Sequence, residues 1–188
     1  MNDRIEVGLP DKLEINRRGS EFEIVRTWFG SQVLFMTVFA VFWDGFIYFW
    51  YSKLGEFKGG VDSMMFYFPL IHVAVGVGIT YYVLCGWLNR TRITVGRGKV
   101  SVRHGPLPWF GNLEMESSAL KQLYVKEVIS SSRNGTTVRY DLNALTRDGR
   151  SIKFAGGMEN SDQALYIEQE VEKFLGIKDG QVKGEHSG

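Results

Sequence analysis

Two stretches of this chain are almost without charge. Residues 28–51 carry Asp44 as their single charged side chain, and residues 64–88 carry no Asp, Glu, Lys or Arg. At 1.5 Å per residue each run makes roughly 36 Å of helix, enough to cross a hydrocarbon layer of about 30 Å. Aromatic residues crowd the ends, with Trp28 and Phe29 at one, Phe49, Trp50 and Tyr51 at another, and Phe66, Tyr67, Phe68 and Trp87 on the second run. Amphipathic rings favour the headgroup level, so this is the belt expected of membrane spans. A helix buried in a soluble core rarely lacks a polar face over so many turns. The pattern predicts transmembrane helices over 28–51 and 64–88, joined by the short polar segment 52–63 into an antiparallel hairpin.

Beyond Leu88 the apolar period changes from helical to two. Ile93 and Val95 alternate, Gly96-Arg97-Gly98 turns the chain, and Val100 and Val102 alternate again. Leu113 and Met115, Leu123 and Val125, then Val138, Tyr140 and Leu142 repeat the pattern. Asn134-Gly135 and Asp148-Gly149 read as type I′ hairpin turns, the second leading into Ile152 and Phe154. From Ser161 the spacing returns to three and four, through Ala164, Ile167, Val171, Phe174 and Leu175. This predicts a helix over 161–175, capped by Asn160 or Ser161 and ended by Gly176. Residues 178–188 read as a flexible polar tail. Ahead of the spans, Leu13 and Ile15, then Phe22 and Ile24, predict a β-hairpin within residues 1–27. A lone hairpin is marginal in water, so it is expected to join the later strands, leaving the apolar hairpin as an insertion in one β domain.

Basic residues set the expected orientation. Lys12, Arg17, Arg18 and Arg26 precede the first span, and Arg90, Arg92, Arg97 and Lys99 follow the second, whereas the loop has Lys53 and Lys58 offset by Glu56 and Asp62. Positive flanks stay in the cytoplasm, so both termini are expected inside. No apolar leader precedes the first span, which would serve as its own insertion signal. Over the whole 188 residues, 22 Lys+Arg balance 21 Asp+Glu for a net charge of +1, which argues against a nucleic-acid binder. One cysteine argues against a disulfide-stapled domain, and 14% aromatic content against a disordered chain.

The segments NRTRITVGRGKVSVRHGPL (89–107), QLYVK (122–126) and QALYIEQEVEKFLGI (163–177) resemble the PH-like domain of a group of small bacterial membrane proteins. Those proteins also place two hydrophobic spans ahead of most of the β domain. The resemblance implies an α+β membrane protein in which a two-helix transmembrane hairpin is inserted in a PH-like antiparallel β domain closed by a C-terminal amphipathic helix. It further implies a bacterial inner-membrane address and a binding role, with no functional residues to carry over. The basic signature by which eukaryotic PH domains hold phosphoinositides is not evident.

Candidate chemistry is sparse. Asp44 lies 51 − 44 = 7 residues inside Tyr51 and His72 lies 72 − 64 = 8 inside Met64, so the two reach within roughly 2 Å of one depth. A hydrogen-bonded staple between the spans is the favoured reading, ahead of contact with a partner's helix and of a proton or ion site. Gly76, one turn beyond His72, lets the helices approach, and Ala74 with Gly78 makes a small-xxx-small pair. In the β domain, two prolines stiffen His104–Asn112 (HGPLPWFGN), which projects Leu107, Trp109 and Phe110 between strands. These are candidate anchors for a partner or the membrane surface, or else caps on the sheet's open end. Arg90, Arg92 and Arg97 could meet anionic lipid. Gly96-Arg97-Gly98-Lys99 fails the Walker spacing and reads as a turn. No cofactor, metal or catalytic arrangement stands out. The expectation is a non-enzymatic, membrane-anchored binding or scaffold module. Its partners are the bilayer and a protein or a second copy; the alternative is an accessory subunit of a transporter or respiratory complex.

Overall fold

The computed structural model describes residues 8–54, 67–132 and 135–178, together with residues 180, 182 and 184–186. The expected Asn134-Gly135 turn falls partly outside the described residues, as do most of the loop 52–63 and the start of the second apolar run. Three helices and two antiparallel sheets make up the described chain, which divides into two compact units. One comprises residues 1–27 and 90–188, the other residues 28–89.

The first unit begins with strands β1 (Leu13–Arg18) and β2 (Glu21–Thr27) and resumes with β3 (Arg90–Gly96), β4 (Lys99–Gly105) and β5 (Leu113–Glu116). These five pair in the order β1-β2-β3-β4-β5. The N-terminal hairpin is thus an integral part of the sheet: Phe22, Ile24 and Arg26 of β2 stand opposite Val95, Ile93 and Thr91 of β3. A single 3₁₀ turn (Ser117–Ala119) leads to β6 (Leu120–Ser132), β7 (Gly135–Thr146) and β8 (Ser151–Met158), which form the second sheet.

Period-two alternation buries one face of each sheet. Phe22, Ile24, Ile93, Val95, Val100 and Val102 from the first sheet share one core with Leu123, Val125, Leu142 and Phe154 from the second. The C-terminal helix adds Ala164, Ile167 and Val171 to that core. Fully burying the larger of these side chains is worth about 1.5–3 kcal/mol each.

The turns refine the sequence pattern. The type I′ signature falls at Arg97-Gly98, whose φ angles are 51° and 75°, between the directly paired Gly96 and Lys99. Arg97 is held there by a 2.7 Å ion pair with Glu21. The I′ turn expected at Asp148-Gly149 is not formed, because positive φ falls on Gly149 alone (84°). Thr146 explains the difference. Its carbonyl accepts from Gly149 N–H, its own N–H donates to the Arg150 carbonyl, and its hydroxyl bonds the Asp148 carboxylate, giving a longer loop. Near the C-terminus, the His186 N–H donates to the Val125 carbonyl on β6 at 2.8 Å.

The second unit contains α1 (Ser31–Leu54) and α2 (Leu70–Leu88), both long and apolar enough to cross a membrane. Each is displaced from its apolar run. Gly30 receives the first helical hydrogen bonds, from Val33 and Leu34, so Trp28 and Phe29 precede α1. Ser52-Lys53-Leu54 stay helical although they are less apolar. Pro69 caps the start of α2 and its carbonyl accepts from Val73, consistent with proline's tolerance at a helix start.

Candidate functional site

The helical unit presents the more structured polar site. Along α1, Val33, Thr37, Ala40, Asp44 and Ile47 recur at alternating spacings of four and three, the seam of an antiparallel helix pair. Close approach depends on two glycines of α2. A Cβ on Gly86 would lie 2.6 and 2.8 Å from the Val33 methyls, and one on Gly76 would lie 2.8 Å from Asp44 Oδ1. Polar bonds cross the seam at three levels. Trp87 Nε1 donates to Thr37 Oγ1 at 2.9 Å, Thr80 Oγ1 donates to Asp44 Oδ2 at 2.7 Å, and Trp43 Nε1 donates to the His72 carbonyl at 3.0 Å.

The partner of Asp44 is therefore Thr80, and the side-chain staple expected between Asp44 and His72 is not formed. The helix bounds explain why. Asp44 lies 54 − 44 = 10 residues from the end of α1, and Thr80 lies 80 − 70 = 10 from the start of α2, but His72 lies only 72 − 70 = 2 from it. His72 instead stacks on Trp43, with centroids 5.8 Å apart, and lies 5.3 Å from the Phe68 ring. Its Nδ1 is buried without a hydrogen-bond partner among the described residues.

Beside the Asp44–Thr80 bond an open groove of about 490 Å³ runs between the helices, flanked by Ile47, Tyr48, Val77 and Tyr81. The carboxylate is its one charged group. Neither Thr80 nor Trp43 was evident in the sequence, because finding them needs the register between helices.

In the β unit, the face of the first sheet that carries the core ends in a polar row. Arg26, Thr91 and His104 are neighbours across β2, β3 and β4. Thr91 Oγ1 and His104 Nδ1 are 3.0 Å apart, and Arg26 reaches the Gly156 carbonyl at 3.4 Å. Burial lowers the Arg26 pKa, with Glu159 opposing. Burial also pushes the His104 imidazole below its usual value, Arg26 adds to this, and the Gly111 backbone opposes it. Counting in twos inward from Ile24 and Ile93 would have found Arg26 and Thr91.

Arg90 and Arg92 are exposed on β3, Arg92 lying opposite Arg103 of β4. Leu107 and Trp109 are half-buried, whereas Phe110 is 90% exposed, its ring 6.4 Å from that of Trp109. The loop is tied at its base by Asn112, whose Oδ1 accepts from the His104 N–H at 2.8 Å, and Gly111, between Phe110 and Asn112, has φ 94°. Of the basic residues singled out from the sequence, Arg97 is committed to Glu21, which leaves Arg90 and Arg92 as the exposed pair on the strand.

No protein-family model and no curated protein matches this chain. Among the described residues no group of three His, Cys, Asp or Glu side chains is placed to hold a metal ion. The arrangement presents an exposed aromatic residue on a loop of the β unit, and a carboxylate in an apolar groove between the helices.

Proposed function

We propose that this chain is a membrane-anchored binding or scaffold module, whose PH-like β domain works at the cytoplasmic face of a bacterial inner membrane. Two apolar helices, basic flanks on both sides of them and a helix-closed pair of antiparallel sheets support the reading. The observation that carries it is Phe110, 90% exposed on a loop tied back by Asn112. A rigidly presented aromatic side chain is the kind of anchor that dominates protein interfaces.

The test is a photo-crosslinking phenylalanine analogue at position 110 of the membrane-embedded protein. Discrete protein adducts at 110, absent when the analogue sits at exposed Ile129, are expected. Adducts to lipid alone would make the loop a membrane-surface anchor and remove the scaffold reading.

A second reading, an accessory subunit that assembles with another membrane protein through its spans, is favoured by one separate observation. Asp44 lies in an open groove on the helices themselves.

A further inference from the structure

We propose that the Asp44 groove receives a transmembrane helix of another protein carrying a Lys or Arg side chain at mid-bilayer depth. This rests on the membrane reading of α1 and α2 and deepens the accessory-subunit reading. A carboxylate offers about four acceptor positions, and Thr80 is the one donor to Asp44 among the described residues. Charged groups within a bilayer are paired with one another or with backbone. Asp44 is therefore under-satisfied as the hairpin stands.

The chain cannot supply the missing cation from a second copy of its own spans. Lys53 is the one Lys or Arg in α1, at its last turn and 53 − 44 = 9 residues from Asp44, and α2 has none. His72 is neither Lys nor Arg, and its ring packs on Trp43 and Phe68 of its own hairpin. The Lys53 offset is roughly 13 Å along the helix, too far for a copy aligned at the same depth. Charge complementarity thus points to a different protein.

The surroundings suit a cation on an apolar helix. Apart from Asp44 and Thr80, the groove's 490 Å³ is lined by aliphatic and tyrosine side chains. Tyr48 is 78% exposed and Tyr81 39% exposed, so their rings can face an incoming ammonium or guanidinium. Past Tyr81, exposed Ala74 and Gly78 continue around α2, and a Cβ at Gly78 would meet nothing within 4 Å. Small side chains there allow a neighbouring backbone to come close.

The experiment reconstitutes the full chain in phosphatidylcholine vesicles with dye-labelled polyleucine helices of about 21 residues, bearing a central Lys, Asn or Leu. Energy transfer should show the Lys helix associating at least about tenfold more tightly than the other two. Asp44→Asn and Asp44→Leu should abolish that preference, while Thr80→Val, which frees the carboxylate, should retain it. Equal association of all three helices, or equal preference for Lys and Asn, would overturn the proposal. So would self-association of the full chain that disappears in Asp44→Asn, since the occupant would then be a second copy. Loss of the chain from the vesicles in a carbonate wash would overturn the membrane reading and this proposal together. Retention without Lys preference would overturn this one alone.

Discussion

At Gly86 the α1–α2 seam depends on a single missing methyl group. The two Val33 methyls stand where a Cβ would go, at 2.6 and 2.8 Å, and a valine in a helix has essentially one side-chain rotamer and cannot swing aside. Gly86→Ala should therefore force the helices apart, at about 1–3 kcal/mol. Thermal unfolding in detergent is expected to show a lowered midpoint, largely restored by adding Val33→Ala. Failure of that rescue would mean the strain lies elsewhere. His104 makes a second expectation at this scale. Burial and Arg26 hold its folded pKa below the ordinary 6.5, so as pH falls the unfolded chain takes up the proton first. The stability linked to His104 is complete above about pH 6.5 and is lost as pH drops toward the folded value. His104→Asn, which keeps a polar partner for Thr91, should flatten the fall in unfolding midpoint between pH 7 and 5.5. An unchanged slope would assign the pH dependence to other groups.

The C-terminal helix, α3 (Ser161–Leu175), is the element whose limits could be read most directly from its residues. Asn160 Oδ1 accepts from the Asp162 N–H at 2.9 Å, and Gly176 ends the helix in the left-handed region at φ 65°. Asn160→Ala should cost about 1 kcal/mol, read as a lower denaturant midpoint with an unchanged slope. Caps and turns are local chemistry, so Asn160, Gly176 and the Arg97-Gly98 turn left marks in the sequence. Pairings between elements did not. The Asp44–Thr80 bond depends on where α1 ends and α2 begins, and hydropathy places those ends poorly because Trp28 and Phe29 are apolar yet precede the helix. Two contacts of α3 with the first sheet were equally hidden. Arg17, read only as a basic flank, forms a 2.9 Å ion pair with Glu170 and lies 5.5 Å from the Phe22 ring, and Phe22 in turn stacks on Phe174 at 5.4 Å. A sequence separation of some 150 residues leaves no periodic signal.

Across the whole molecule, chain connectivity gives the sharpest expectation. β2 ends at Thr27 and β3 begins at Arg90, and these two residues face each other directly in the ladder. Everything between them is an excursion that leaves the sheet and returns to an adjacent position. The core of the β unit draws its buried side chains from β1, β2 and the elements after Arg90. Among the described residues, nothing in that core comes from the segment 28–89. Paired antiparallel ends can be joined by a short turn centred on Asn-Gly, whose positive φ angles match the strand twist. Replacing residues 28–89 with such a turn should yield a protein that stays in solution without detergent. It should keep β-rich circular dichroism and unfold in one cooperative transition, as expected for a single small domain. The intact chain should resist carbonate extraction from membranes while the shortened one should not. If the shortened chain aggregated without a cooperative transition, the β unit would need the helical hairpin to fold. If it folded and also remained bound to membranes, the Phe110 loop and the exposed Arg90 and Arg92 would become the first surfaces to alter. Attachment through a β-domain surface would then fall with Phe110→Ser, or with rising salt where the arginines dominate.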